Sequence, residues 1–503
     1  MAEVVVIGAG MGGLASALAL ASHGHAVTVV EAESRAGGKA GVVKVDGVEM
    51  DTGPSLLTLA HVFDELFQMA GTSLRDEVGL RPLSPAFDYR WPDGTQLVTG
   101  HRYVETRAAV RDTFGSQAAE DLDGFARHAK QIWDAAWPTF VAAEAPRYST
   151  LFKPSRWLSM SKIDPLRTMK DAIDGRIRSP HLRDVMYRYA TYNGSDPRHS
   201  PATLCCIAHV DLEEGGYGVE GGIAALVAAL VRVAERLGVM FRYDSRVVGI
   251  DVRGGRARGV ELADGAMLSA DAVVANADVA HVHRALLSPS ASSKAGLAHG
   301  EPPSMSAWNA ILKKHGDPLA PHTVLFPRDY VQEFADIFDH GRAPSDPTVY
   351  LCAQGAAHQR AGWPDAEAVF LMANAPAEPE RGTSDAASWD RMRETVLDKL
   401  RSAGLMQEGD ELVWERTPID LAARFPGSRG ALYGAASTSR TAAFKRPANR
   451  VRGVPGLYLA SGSAHPGGGM PLCALSGRAA ATAIVEDLGG SMRGGGGRFA
   501  RAV

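Results

Sequence analysis

Three glycines near the N-terminus have the spacing of a turn that binds a nucleotide phosphate. Gly8, Gly10 and Gly13 follow the apolar run VVVI, which is typical of a buried parallel strand. In the pattern G-x-G-x-x-G the first glycine permits a tight turn and the second lets a pyrophosphate approach the main chain. The third lets the next helix pack close to the strand. The stretch therefore predicts a strand–turn–helix unit that binds a dinucleotide.

The residue that ends the second predicted strand narrows the choice of nucleotide. The alanine-rich helix is followed by a strand at 26–30, and Glu31 comes directly after it. A carboxylate at this place accepts hydrogen bonds from both hydroxyls of a ribose and repels a 2′-phosphate. Glu31 therefore favours FAD or NAD over NADP.

The stretch EAESRAGGKA separates FAD from NAD. Arg35, Gly37 and Gly38 follow the acidic residue at once, and a nicotinamide cofactor needs neither a glycine pair nor an arginine there. The order R-x-G-G resembles flavoproteins with two dinucleotide-binding domains, in which the arginine lies near the phosphates and the glycines let the chain pass the cofactor. This resemblance favours FAD.

Composition excludes several classes of function. The 503 residues are 45% hydrophobic and carry a formal net charge of −4, so no basic excess indicates nucleic acid as a partner. The four cysteines have neither C-x-x-C nor metal-site spacing, so no metal site is predicted. This cysteine usage and the absence of a recognisable signal peptide predict a reduced, cytoplasmic chain. No apolar run reaches the roughly 18 residues that span a bilayer.

The nucleotide-binding signals are scattered along the chain, which predicts a discontinuous α/β fold. We assign residues 1–80, 201–280 and 441–490 to a Rossmann-like FAD-binding domain and residues 81–110 and 281–440 to a mixed α+β substrate domain. Residues 111–200 are predicted to be helical and to face a membrane. The glycine-rich residues 491–503 are predicted to form a flexible tail.

Several stretches together resemble the carotenoid desaturase branch of the FAD-dependent, amine-oxidase-like flavoproteins, which includes the phytoene desaturases. They extend over nearly the whole chain and include DTGPSLLTL, RYATYNGSDPRHSPAT, VEGGIAALVAAL, VVANAD, RFPGSRGALYG and GLYLASGSAHPGGGMPLCALSGRAAA. The residues VEGG stand where phytoene desaturases usually carry Pro-x-Gly-Gly. This difference makes the chain more similar to the hydroxyneurosporene and methoxyneurosporene desaturases.

The resemblance implies a set of FAD-binding residues. Gly8, Gly10, Gly13 and Glu31 match contacts to the ADP half, and Arg35, Gly37, Gly38 and Lys39 match the turn that follows. Gly53, Pro54 and Ser55 match a loop near the flavin, and Val247 matches a main-chain contact to the adenine. Ser461, Gly462 and Met470 match the loop and helix start near the pyrophosphate and pyrimidine. No catalytic acid or base is implied.

The resemblance also implies a reaction, the FAD-dependent desaturation of an acyclic carotenoid at C-3,4 next to a 1-hydroxy or 1-methoxy group. A hydride would pass to flavin N5 and a proton would leave the neighbouring carbon, with oxygen or a quinone as the final electron acceptor. Three alternatives stay open: a phytoene-, neurosporene- or lycopene-type desaturase, a flavin-dependent cis–trans isomerase, and a non-enzymatic prenyl-binding protein of the same fold.

A basic and aromatic stretch predicts peripheral binding to a lipid surface. The residues from Pro146 to Asp164 combine four Lys and Arg residues with Phe152, Trp157, Leu158 and other apolar side chains. Basic groups attract anionic lipid headgroups while the apolar groups enter the interface. The alternative is that these residues belong to the core of a helical substrate domain. A lipid-soluble substrate favours the membrane.

Overall fold

Parallel strands form the first of two large sheets in the computed structural model, which describes residues 1–142, 162–297 and 302–490. The strands lie in the order Leu457–Leu459, Ala272–Ala275, Glu3–Ile7, Ala26–Val30 and Met240–Arg242. The predicted strands at 4–7 and 26–30 are confirmed. Their apolar side chains are buried because both faces of the sheet are covered.

Three long helices cover one face of this parallel sheet, namely Met11–Ser22, Ile223–Arg236 and Met470–Asp487. The first and the last pack closely, and a side chain at Gly477 would meet the carbonyl oxygen of Gly12 at 2.3 Å. An antiparallel sheet covers the other face with the strands Val247–Arg253, Arg256–Leu262 and Met267–Ser269. Gly254 and Gly255 form the turn between the first two of these strands.

The second large sheet has seven strands and is mixed. Their order is Glu411–Arg416, Ser306–Lys314, Glu367–Ala375, Val349–Ala353, His322–Leu325, Phe87–Arg90 and Gln96–Thr99. Neighbours are antiparallel except for His322–Leu325 and Phe87–Arg90, which run parallel. Helix Ala386–Ser402 packs on one face of the sheet, and a helical layer packs on the other.

This helical layer forms much of the remaining core. It contains the helices Tyr103–Phe114, Ser116–Ala136, Met169–Asp174, Pro180–Arg188 and Cys206–His209, with Tyr330–Phe338 beside them. Shorter helices are Ala60–Met69, Leu74–Glu77, Val279–His281, Pro289–Ala295, Gln354–His358, Pro418–Arg424 and Ala442–Lys445. Two small antiparallel pairs join Val42–Val45 to Val48–Asp51 and Leu80–Pro82 to Tyr217–Val219.

Along the chain, strands of the parallel sheet alternate with strands of the mixed sheet. The two sets of strands fall in the segments that were assigned to the two domains. The parallel sheet draws on residues 3–30, 240–275 and 457–459, and the mixed sheet draws on residues 87–99 and 306–416. The exact domain boundaries remain a prediction. In the part of the chain that the structure describes, no helix is both long and apolar enough to cross a membrane.

Candidate functional site

A cavity of about 490 Å³ lies where the carboxyl ends of the parallel strands meet the mixed sheet. Gly8, Glu31, Asn276 and Ser461 line it, and each follows a parallel strand directly or within two residues. In open α/β sheets ligands bind at this edge. The opposite wall is formed by the mixed sheet, from which Phe87, Tyr350, Phe370, Met372 and Arg416 reach the cavity.

The glycine turn has the geometry that its spacing predicts. Gly8 adopts a φ of +88°, which disfavours other residues, and the helix begins at Met11 immediately after Gly10. A side chain at Gly10 would meet Asn276 Nδ2 at 2.8 Å, and one at Gly13 would meet the Gly8 carbonyl oxygen at 2.0 Å. The absence of a side chain at Gly10 therefore leaves the main chain accessible from the cavity. Gly13 allows the helix to pack against the turn and does not line the cavity.

The Glu31 side chain is held in place by backbone donors. The residue is 8% exposed and lines the cavity. Its Oε2 accepts the Ala9 N–H at 2.6 Å, and its Oε1 accepts the Glu33 N–H at 2.9 Å. These two bonds fix the carboxylate beside the glycine turn, where its remaining lone pairs are available to a ribose.

The turn after Glu31 crosses the cavity next to the glycine turn. Gly37 and Gly38 have positive φ angles of 128° and 58°, and the Gly37 N–H donates to the Ala9 carbonyl at 2.9 Å. Lys39 Nζ donates to the carbonyl oxygens of Ala431 at 2.6 Å and Leu432 at 3.1 Å. Burial lowers the pKa of Lys39. All three predicted residues line the cavity.

The other predicted residues gather around the same cavity. Gly53, Pro54 and Ser55 form a loop against the 37–40 turn, and a side chain at Gly53 would meet the Lys39 carbonyl oxygen at 2.2 Å. The further lining residues predicted from the sequence are Val247, Ser461, Gly462 and Met470. Met470 begins the last long helix, so the predicted helix start beside Pro471 is confirmed.

Besides Gly13, Arg35 is the predicted site residue that does not line the cavity. Its side chain is 55% exposed, and its Nη1 donates to Glu49 Oε2 at 3.0 Å on the protein surface. The neighbouring Gly37 and Gly38 line the cavity, whereas the Arg35 side chain faces solvent. The positive charge expected from Arg35 comes from other residues, Lys39, Arg416 and Arg424, which line the cavity.

Solved structures share this fold. An oxidoreductase from Methanosarcina mazei superposes with a TM-score of 0.63 at 16% identity, over 96% of this chain and all of the other. Wild-type putrescine oxidase bound to putrescine gives a TM-score of 0.61 at 17% identity, over 96% of this chain and 99% of the other. At this identity the likeness concerns the fold alone.

Sequence comparison decides the family. The sequence model of the family described as flavin containing amine oxidoreductase matches residues 11–485 of this chain. The chain belongs to this flavin containing amine oxidoreductase family. This membership confirms the prediction of an FAD-dependent oxidoreductase with an amine-oxidase-like α/β fold.

The resemblance to carotenoid desaturases within this flavin-dependent family is also confirmed. The chain is 36% identical to hydroxyneurosporene desaturase of Rubrivivax gelatinosus, over 98% of this chain and 94% of the relative. It is 32% identical to 4,4'-diapolycopene oxygenase of Methylomonas sp., over 97% and 98%. It is 30% identical to 1-hydroxycarotenoid 3,4-desaturase of Flavobacterium sp. (strain P99-3), over 96% and 99%.

The residues of the cavity fit FAD, the cofactor of this family. Arg416 is 7% exposed, and its Nη2 donates to the Asn309 Oδ1 at 3.0 Å, but its Nε and Nη1 are buried without a partner among the described residues. The Nε of Arg424 is buried in the same way. Buried donors of this kind are rare in proteins unless a ligand satisfies them. Burial and the neighbouring Arg424 lower the pKa of Arg416 to about 10, which leaves it charged at neutral pH and suited to the anionic pyrophosphate.

Two helix starts add to this fit. The N–H groups of Met11 and Gly12 belong to the first turn of a helix, have no partner within it and line the cavity. Helix N-termini stabilise negative charge, so the first helix suits a phosphate. The helix that begins at Met470 also starts at the cavity. Arg446 supports the loop that precedes this helix, because it donates hydrogen bonds to the carbonyl oxygens of Gly462 at 3.1 Å and Ala435 at 2.8 Å.

Sequence reasoning missed several lining residues. Asn276 lies in the stretch VVANAD, and its Nδ2 donates to the Gly8 carbonyl oxygen at 3.2 Å and so supports the glycine turn. Arg188 and Arg424 are the first residues of the stretches RYATYNGSDPRHSPAT and RFPGSRGALYG. These stretches carried the family resemblance, but neither arginine was singled out as a site residue. Arg416 had no local signal, because it ends an ordinary strand.

Proposed function

We propose that the chain desaturates an acyclic carotenoid at C-3,4, beside a hydroxyl or methoxy group on C-1, with FAD as the oxidant. The observation that carries this proposal is the composition of the cavity wall opposite the nucleotide turn. Phe87, Tyr350, Phe370 and Met372 present aromatic and aliphatic surface from the mixed sheet. A polyene is recognised by such a wall, because it offers no hydrogen-bonding groups along its length.

The charged groups of the cavity are distributed in agreement with this chemistry. Among the described residues, the carboxylates that line the cavity are Glu31, Glu33 and Asp278, and all three belong to segments beside the parallel sheet. None comes from the mixed sheet. A cationic amine substrate would be favoured by an anionic partner in this wall, whereas removal of hydrogen from an apolar chain requires a dry and well-shaped surface.

When bound, FAD supplies the two-electron acceptor, since desaturation removes a hydride and a proton from neighbouring carbons. The chain's own residues position the polyene and exclude water. Tyr350 illustrates this role: it is 9% exposed, and its hydroxyl is fixed by a hydrogen bond of 2.8 Å to His322 Nδ1. Its ring therefore presents a rigid apolar face to the cavity.

The test is turnover of a panel of carotenoids in liposomes under otherwise equal conditions. We expect 1-hydroxy and 1-methoxy acyclic carotenoids to lose two hydrogen atoms, with a longer absorption wavelength and the new double bond at C-3,4. Conversion of phytoene without conversion of the 1-hydroxy substrates would favour an earlier desaturation. An isomerised product of unchanged mass would favour the isomerase.

A second candidate function is oxidation at the end of an acyclic carotenoid chain. Its support is the 32% identity to a 4,4'-diapolycopene oxygenase over nearly the full length of both chains. The same panel separates the two candidates, because an oxygenase product gains oxygen whereas a desaturase product only loses hydrogen. Labelled oxygen in the product, found by mass spectrometry, would replace the desaturase proposal.

We propose oxygen or a membrane quinone as the final electron acceptor. Either accepts the two electrons that each desaturation delivers, and a quinone shares the lipid phase with the substrate. Anaerobic turnover with and without a quinone in the liposomes separates the two. Turnover that requires oxygen even when quinone is present would assign oxygen.

We also propose that the chain is cytoplasmic and binds a membrane surface peripherally. The basic and aromatic stretch from Pro146 to Asp164 supports this proposal, although residues 143–161 lie outside the described residues. The adjoining Leu166 is 70% exposed, which is unusual for a leucine in a core. Replacing Phe152, Trp157 and Leu158 by serine should reduce liposome sedimentation while flavin content stays constant. Unchanged sedimentation would place the membrane surface elsewhere.

A further inference from the structure

Arg188 places a buried charge in the otherwise apolar part of the cavity. It ends the helix Pro180–Arg188, is 7% exposed and lines the cavity. Removing a guanidinium from water is unfavourable unless partners replace the lost hydration. Its nitrogens form no ion pair among the described residues, and the Asp211 carboxyl group acts on its charge electrostatically from further away. Hydrophobic packing of a polyene does not explain such a residue.

Four rings surround this guanidinium and form an aromatic cage, defined here as Phe87, Tyr89, Tyr192 and Tyr350. The Arg188 Cζ lies 5.0, 5.9, 5.2 and 5.8 Å from the respective ring centroids. The faces of these rings stabilise the positive charge and fix the side chain. Ring faces do not replace lone-pair acceptors, however, so the cage stabilises the charge without satisfying every N–H.

The hydrogen-bonding capacity of Arg188 exceeds what its neighbours accept. Its Nη1 donates to the Tyr192 hydroxyl at 3.1 Å. A guanidinium has five N–H donors and no acceptor. It therefore suits a ligand oxygen that has a lone pair, and it does not distinguish whether that oxygen carries a hydrogen or a methyl group.

The position of Arg188 is close to the part of the cavity where the flavin-side loops meet. The segment that follows Arg188 reaches Tyr433, because a side chain at Gly194 would meet the Tyr433 ring at 2.6 Å. Tyr433 in turn lies against Gly468, where an added side chain would meet the Tyr433 Cα at 2.5 Å. Gly468 lies two residues before Met470, where the last long helix starts. Tyr433 thus joins the segment after Arg188 to the start of this helix, and the Arg188 charge acts on Tyr433 by opposing the rise in its pKa that burial causes.

We infer that Arg188 donates a hydrogen bond to the C-1 oxygen of the carotenoid and thereby selects 1-hydroxy and 1-methoxy substrates over hydrocarbon ends. The inference rests on the proposed function. A hydroxyl and an ether oxygen both accept a hydrogen bond, so one guanidinium serves both substrates. C-1 is two carbons from C-3, so a group that holds the C-1 oxygen also sets which carbons face the flavin.

A hydrocarbon end would leave the cage with a donor that has no acceptor. A hydrogen bond to a charged group is expected to favour the oxygenated substrate by about 10- to 100-fold in kcat/KM. Arg188→Met keeps the length and apolar stem of the side chain and removes every donor. We therefore expect this variant to lose that preference and to accept the hydrocarbon at least as well as the wild type does.

The experiment is a competition between a 1-hydroxy carotenoid and neurosporene in the same liposomes, with the ratio of products measured for the flavin-loaded enzyme. Flavin content is measured alongside. Tyr330→Phe tests the competing donor of the same cavity, because the buried Tyr330 hydroxyl also lacks a partner among the described residues, and this variant should keep the preference. Arg188→Lys and Arg188→Gln retain a donor on a shorter side chain, so their preference should fall between those of the wild type and Arg188→Met.

The outcomes separate this inference from the proposed function. Wild-type enzyme that converts no oxygenated carotenoid would overturn the proposed function. Wild-type enzyme that prefers the 1-hydroxy substrate, with the same preference in Arg188→Lys, Arg188→Gln and any folded Arg188→Met, would overturn the inference alone. Equal losses on both substrates would assign Arg188 a structural role and would also overturn it. A preference that is lost in Tyr330→Phe instead would move the oxygen site to Tyr330.

Discussion

Replacement of Glu31 tests the nucleotide site most directly, because its carboxylate accepts two backbone N–H groups and is predicted to bind the ribose. The side chain is 8% exposed, and it accepts the N–H groups of Ala9 at 2.6 Å and Glu33 at 2.9 Å. Glu31→Leu has a similar volume but no acceptor. The variant therefore removes the hydrogen bonds to the ribose and leaves two backbone donors without their side-chain partner.

The two effects have separate magnitudes. A hydrogen bond to a charged group contributes about 1.5–3 kcal/mol, so loss of one ribose bond should weaken FAD binding by roughly 10- to 150-fold. An unsatisfied buried N–H costs about 1–3 kcal/mol, so the free energy of unfolding of the apoprotein should also fall by roughly that amount for each donor that water does not reach. Glu31→Gln retains one acceptor oxygen and should show a smaller loss in both quantities.

The assay is a titration of the apoprotein with FAD, followed by flavin fluorescence, together with urea unfolding of the same apoprotein. The matched control is Glu235→Gln, because this carboxylate is exposed on the helix Ile223–Arg236 and lies outside the cavity. The control should bind FAD as the wild type does. If Glu31→Leu also bound FAD with wild-type affinity, the assignment of the ribose contact to Glu31 would be refuted.

Gly10→Val should abolish FAD binding while the helix content stays unchanged, since even a Cβ at this position would meet Asn276 Nδ2 at 2.8 Å. Flavin absorbance that persists in this variant would show that FAD binding does not require a glycine at position 10. Arg35→Ala should bind FAD within about 2-fold of the wild type, because Arg35 pairs with Glu49 on the surface and loses only an exposed ion pair; a tenfold weakening would return Arg35 to the site. Burial raises the pKa of Glu333 to about 7 from its usual 4.5, so the folded protein retains a proton that the unfolded chain releases. The free energy of unfolding should therefore fall by up to about 3 kcal/mol as the pH rises from 4.5 to 7, and Glu333→Gln, measured by urea unfolding, should lack this part of the pH dependence.

Local sequence determined the nucleotide-binding half of the cavity. The strands at 3–7 and 26–30, the turn between Gly8 and Gly13 and the carboxylate of Glu31 all lie within one short segment. In such a unit the backbone conformation is set by neighbouring residues, because glycine spacing fixes the turn and apolar runs fix the strands. The cofactor could therefore be predicted without knowledge of the remaining chain.

The pairing of the mixed sheet could not be predicted in the same way. Its strand order places Glu411–Arg416 beside Ser306–Lys314 and Phe87–Arg90 beside His322–Leu325. Partners separated by a hundred residues or more are chosen by side-chain packing across the whole sheet, and no local pattern records that choice. The sequence indicated a mixed α+β substrate domain but not which residues of it would face the cavity.

The arginines show the division between sequence and tertiary structure most clearly. Arg35 adjoins the glycine pair in sequence, yet it faces solvent and pairs with Glu49. Arg416 follows more than 370 residues later, yet it lines the cavity, and two of its buried nitrogens have no partner among the described residues. Sequence neighbours fix backbone conformation, whereas the direction and burial of a long side chain depend on the segments that pack around it. The surroundings of Arg188 follow from the same rule, since its four rings come from three separate parts of the chain that only the folded protein brings together.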